Sequence, residues 1–234
     1  MTDDNGSLTL SAPSSRTLSD HVADELRRAI LTDRLKPGQR IVEREIAEAM
    51  DTSRGPVRDG LKLLENEGLV VRYPHRGTFV ARLTERDAEE IYSLRVALET
   101  LAAEYAIRYA TDEQLDELDA LVQAMATKVE QGYTEYDSTD LDLVFHRTLC
   151  RISGHKRVIS AWENLNPQLR MLLLSHRTHD PADFREKGVQ WHSRLVAALR
   201  QRDMRVARNV IIEHLAASFE GALLAVPDHK RSTG

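Results

Sequence analysis

Asp142 and His146 close the run Asp-Leu-Val-Phe-His, so on a helix a carboxylate and an imidazole four residues apart lie on one side and can reach one ion. Two further histidines stand beside apolar positions: His192 near Leu195 and Leu199, and His214 between Ile211 and Leu215. Both therefore border the interior of whatever their helices pack into. Nitrogen and oxygen donors brought from three helices suit a divalent transition metal, with zinc foremost and nickel or manganese as alternatives, and leave coordination positions open for a ligand. The spacing admits a plainer reading too, because Asp-x-x-x-His pairs are common and a helical histidine is more often a hydrogen-bonded core residue. Cys150 continues the same spacing by four more residues and reads as a small buried side chain. His155, His176 and His179 fall near predicted helix ends and read as surface residues.

A second set of residues is cationic. Arg54 and Arg58 share one face of a helix whose other face carries Val57, Leu61 and Leu64. An arginine pair at a helix N-terminus suits a DNA major groove, since guanidinium matches guanine O6 and N7 or a phosphate. A solvated arginine pair is the alternative.

The elements that must position these residues follow from periodicity. From Leu18, apolar Val22, Leu26, Ala29 and Ile30 recur at helical spacing, and Lys36-Pro37-Gly38 ends the pattern in a turn. A short helix over Glu43 to Met50 follows, then a helix from Ser53, whose side chain is expected to cap it, with Pro56 in its first turn. Leu69 to Tyr73 and Thr78 to Val80 are β-favouring runs flanking Pro74-His75-Arg76-Gly77, which predicts a hairpin. Three helices and a hairpin have the element order of a winged helix-turn-helix, or of a small α+β domain without a DNA role. Beyond Leu83, six helical patterns predict a bundle, with starts at Thr84, Thr111 and Pro181 and with the third pattern running from Leu141 to Ile152. The fold class is mainly α: residues 16–82 form the first domain and 83–226 the second, between tails at 1–15 and 227–234.

Composition narrows the classes further. A chain of 234 residues, 41% hydrophobic and 29% charged, can bury a sizeable core and is neither disordered nor disulfide-rich. One cysteine, no signal peptide and no long apolar run favour a cytoplasmic protein without membrane association. The net charge of -5 hides an asymmetry: residues 16–82 carry +2 and residues 83–234 carry -5. Any DNA contact must then come from a few placed arginines rather than from a broad positive field.

Over the first domain, Leu35-Lys36-Pro37-Gly38, Glu43-Arg44-Glu45-Ile46-Ala47, Ser53-Arg54-Gly55-Pro56-Val57-Arg58, Leu64-Glu65-Asn66-Glu67-Gly68-Leu69 and His75-Arg76-Gly77-Thr78-Phe79-Val80 resemble the DNA-binding domain of GntR-family bacterial transcription regulators. That resemblance implies DNA contacts by Arg44, Arg54 and Arg58, and a wing tip of Arg76 and Gly77 approaching the minor groove. Asp59-Gly60 departs from the usual Glu-Ala and marks either close packing or a softer recognition helix. The second domain is similar to the FCD ligand-binding domain of the FadR subfamily, an antiparallel helical bundle, on Asp142 to His146, His192 to Leu199 with Asp203 following, and His214-Leu215. In metal-containing members such residues ligate the ion, which implies Asp142, His146, His192 and His214 here, with a small carboxylate as effector. Arg95, Arg147 and Arg170 are candidates to hold that acid, by position on presumed pocket helices; external salt bridges are the alternative.

A homodimeric regulator reading a palindromic operator, in which a small acid controls the two DNA-binding heads, is the function these features point to. An enzyme is disfavoured, because no His-Glu-x-x-His, nucleophile elbow or phosphate-binding glycine loop is present. Two alternatives remain at this stage: a constitutive dimeric DNA-binding protein with a structural metal, and a metal-free regulator answering to an acyl or neutral ligand.

Overall fold

Threonine opens four of the helices. Thr17, Thr84, Thr111 and Thr134 each accept a bond from the amide three residues on, and the side chains of Asp20, Asp87, Gln114 and Asp137 reach back to complete capping boxes. The computed structural model describes residues 17–179 and 187–225, arranged as two units with separate apolar cores. The tails and the helix start expected at Pro181 lie outside the described residues, as do the side chains of His176 and His179.

In the first unit, α1 (Leu18–Leu31), α2 (Glu43–Ala49) and α3 (Arg54–Asn66) pack beside β1 (Arg40–Ile41), β2 (Val70–Tyr73) and β3 (Gly77–Val80). Val22, Leu26 and Ile30 of α1 share a core with Val57, Leu61 and Leu64 of α3. A Cβ on Gly60 would stand 3.0 Å from the Ser19 carbonyl and 3.2 Å from the Ala23 amide. Close packing of α1 on α3 is therefore the role that the structure supports for this glycine. The expected hairpin forms with Tyr73 opposite Gly77, whose φ of +104° is one that glycine adopts freely. Two details differ from the sequence reading. A third strand, β1, pairs with β3 so that Arg40 faces Phe79; two residues are too few to show an alternating pattern. Ser53 does occupy the N-cap of α3, but its side chain makes no capping bond.

The second unit contains α4 (Glu85–Tyr109), α5 (Asp112–Gln131), α6 (Glu135–Ile152), α7 (Lys156–His179), α8 (Val189–Arg200) and α9 (Met204–Ala225). Helix α4 contacts α6, α7 and α9, and the bundle closes over Trp162, Phe145, Leu115, Leu118, Leu149, Leu195 and Leu199, all fully buried. The six expected helices are all present. Helix α6 begins at Glu135 rather than near Leu141, because its first turn is set by the Thr134–Asp137 capping box and carries little apolar periodicity. His155 is half-buried rather than on the surface: its ring packs edge-on against Tyr105 at 4.7 Å, and Nδ1 accepts the Val158 amide at 3.3 Å. Cys150 is buried and its thiol pKa is pushed up by that burial, which keeps it unreactive. Among the described residues no helix is long and apolar enough to cross a membrane.

Candidate metal centre and nucleic-acid interface

One turn of α6 separates Asp142 from His146, and both point into the bundle where α8 delivers His192 and α9 delivers His214. The three imidazoles meet through the same atom. His146 Nε2 lies 3.1 Å from His214 Nε2 and 3.3 Å from His192 Nε2, while Asp142 Oδ1 is 3.5 to 3.9 Å from all three. Donors each about 2.1 Å from a shared ion stand about 3.0 Å apart at right angles and about 3.4 Å apart in a tetrahedron. The observed spacings follow that scale.

The outer nitrogens explain why the inner ones are free to ligate. His192 Nδ1 donates to the Gly188 carbonyl at 2.6 Å, and Glu99 Oε2 lies 2.7 Å from His146 Nδ1. The Glu99 contact is bent away from ideal hydrogen-bond direction, yet a carboxylate oxygen this close requires the proton on Nδ1, because two lone pairs would repel. Both rings therefore present Nε2 lone pairs to one point, an arrangement that a cation relieves. Burial lowers the pKa of His146 against the pull of Glu99; burial, then His192 and His146, push His214 well below the ordinary value. Neutral rings are the form that binds metal. A set of three imidazoles and one carboxylate fits zinc, nickel or manganese.

Glu99 was missed by the sequence reading. It is fully buried on α4, accepts Arg95 Nε at 2.6 Å and Trp162 Nε1 at 3.3 Å, and holds His146 from behind. Burial alone would raise its carboxyl, but Arg95 and then His146 outweigh that and bring it down to about 2. A signal did exist: Arg95 and Glu99 continue the buried stripe of Ala88, Ile91, Ala102 and Ala106.

The three arginines proposed to hold an acid separate. Arg95 sits at the cluster, 3% exposed, with Nη2 3.4 Å from Asp142 Oδ2. Arg147 does not reach it: one residue past His146, it turns about 100° round the helix, to the surface, and pairs with Glu163 at 2.6 Å. Arg170 is likewise away from the cluster, paired with Asp140 and lining a cleft of about 500 Å³ between α1 and α7.

On the first unit, Arg54 opens α3 and is exposed, as are Arg44 on α2 and Arg76 at the wing tip. Arg58, one turn into α3, is held by Glu43 of α2 at 3.0 Å, and the Arg76 guanidinium lies 5.6 Å from the centre of the Tyr73 ring. Arg40 is an addition the sequence reading lacked. Strand β1 sets it beside the wing, where a Cβ on Gly77 would be 3.4 Å from its Nε. Among the described residues neither Arg40 nor Arg54 has an acidic partner.

Comparisons with known proteins match both units. Residues 18–80 match the bacterial regulatory proteins of the gntR family, and residues 90–217 match the FCD domain. The chain is 34% identical to a helix-turn-helix transcriptional regulator of Streptomyces ambofaciens, over 84% of this chain and 81% of the relative. It is 29% identical to the gluconate operon transcriptional repressor of Bacillus licheniformis, over 88% of this chain and 84% of that one. A putative GntR transcriptional regulator from Rhodococcus sp. RHA1 has the same fold, with a TM-score of 0.74 and 23% identity over 89% of this chain and 99% of its own.

Proposed function

Because the chain belongs to the GntR family of bacterial transcription regulators and carries an FCD domain, we propose that it is a cytoplasmic repressor whose operator affinity is set by a small carboxylate bound beside a metal ion. Asp142, His146, His192 and His214 would hold the ion, which would supply a Lewis-acidic anchor for the acid. The observation that carries this reading is the pair of fixed tautomers, with His146 and His192 both aiming Nε2 at Asp142. Arg95, tied to Asp142, supplies the charge for the acid; Arg147 and Arg170 keep their surface and cleft partners. The protein is a regulator rather than an enzyme in this reading, since Glu99 is clamped between Arg95 and His146 and Asp142 serves as a ligand, leaving neither as a general base.

Two copies would read the halves of a palindromic operator. The outer face of α4, with Leu94, Ala97, Leu98 and Leu101 at helical spacing and Leu94 46% exposed, is the surface a second copy would cover. Arg44, Arg54 and Arg58 would enter the major groove, while Arg76 and Gly77 approach the minor groove. Arg54→Ala and Arg58→Ala should each weaken operator binding by about 1–3 kcal/mol and flatten the preference at one base pair, read by fluorescence anisotropy on operator variants selected from random duplexes. Unchanged binding in both would overturn the assignment.

Arg40 would hold phosphate beside the wing. Arg40→Ala should weaken operator and unrelated DNA alike and lower the slope of log affinity against log salt by about 0.9. A slope equal to wild type would remove Arg40 from the interface. Control by a ligand is tested by adding small carboxylates to the metal-loaded protein on operator DNA: a change in affinity is expected, and its absence with every acid would leave a constitutive DNA-binding protein.

A further inference from the structure

Glu43 and Arg58 stand 15 residues apart on different helices, yet Arg58 Nε donates to Glu43 Oε2 at 3.0 Å. The bond ties the first residue of α2 to the second turn of α3. The other two arginines of these helices are held differently: Arg44 lies 3.9 Å from Glu48 of its own helix, and Arg54 has no acidic partner among the described residues. Bonding through Nε fixes the plane of the Arg58 guanidinium and leaves its outer edge, Nη1 and Nη2, to a second acceptor. That edge carries two parallel donors, which match O6 and N7 of guanine. A carboxylate on a surface that must meet phosphate opposes DNA by like charge, and an exposed ion pair adds too little folding stability to offset this. What Glu43 supplies is a fixed direction for Arg58.

We propose that Glu43 is a specificity-determining positioning residue, which lowers overall DNA affinity and, by orienting Arg58 in advance, raises discrimination at the base pair that Arg58 reads. The inference rests on the reading that Arg58 enters the major groove. An untethered Arg58 can turn to a phosphate or to another base, so its preference spreads. A tethered one loses its acceptors when the guanine is replaced, and discrimination rises with that loss. The freedom Glu43 removes from one long side chain is worth about two- to tenfold.

The test is fluorescence anisotropy of the full-length protein on three duplexes: the selected operator, the same operator changed at the base pair where Arg58→Ala flattens the preference, and an unrelated sequence. Glu43→Gln should lower the ratio of operator to changed-operator affinity by about two- to tenfold. The same variant should bind unrelated DNA about threefold more tightly at low salt, because one repelling charge is gone. Glu43→Asp keeps the charge but shortens the reach, so it should lower the ratio and leave unrelated DNA unchanged. In an Arg58→Ala background, Glu43→Gln should leave the ratio as it is. An unchanged ratio for Glu43→Gln beside an intact Arg58 overturns the inference and leaves Arg58 a base-reading residue. An equal fall with and without Arg58 also overturns it, since Glu43 then acts by another route. If Arg58→Ala flattens no base pair, Arg58 leaves base reading and the inference falls with it.

Discussion

His192→Ala is expected to lose the bound ion: untagged wild-type protein, saturated with zinc and then dialysed, should retain about one ion per chain by elemental analysis, and the variant close to none. His192 is fully buried, its Nδ1 is committed to the Gly188 carbonyl, and its Nε2 stands 3.3 Å from His146 and 3.5 Å from Asp142. Removing it leaves three donors on two helices and unties α8 from α6 and α9. An ion held at a thousandfold excess over its dissociation constant adds about 4 kcal/mol to folding stability, so chelator should lower the melting temperature of the wild type far more than that of the variant. A wild type that holds no zinc, nickel or manganese after repletion would refute the metal centre and leave the DNA-binding assignment standing.

Glu99→Ala should cost about 3–5 kcal/mol by chemical denaturation. The reason is the charge it leaves behind. Arg95 would stay buried with only the longer 3.4 Å contact to Asp142, Trp162 Nε1 would lose its acceptor, and nothing would hold His146 Nδ1 from behind. The loosened His146 should also weaken zinc binding by about 10- to 100-fold, the effect of losing an outer partner of a metal ligand. Glu163→Ala is the control: it breaks the exposed pair with Arg147 and should cost no more than about 1 kcal/mol. Equal costs for the two substitutions would show that Glu99 neither compensates a buried charge nor positions His146.

Much of this protein was legible along the chain because helices and hairpins write their periods locally. The apolar repeats marked three helices and a hairpin followed by six more helices, and the four-residue spacing of Asp142 and His146 placed both on one side of α6. The same logic set Arg54 and Arg58 on the outer face of α3. What the periods could not carry was convergence. Arg95 and Glu99 have the spacing of an ordinary surface ion pair, and only the packing of α4 against α6 and α7 turned that pair into the clamp behind His146. Arg147 and Arg170 were as plausible as Arg95 until their neighbours across the bundle were known. Strand β1 was too short to announce itself, so Arg40 reached the wing only through its pairing with β3. The residue types and their faces were thus determined by the sequence alone, since side-chain direction repeats with the local backbone. Which faces meet was decided by the tertiary structure, because a buried charge or lone pair acquires its role from groups that are dozens of residues away.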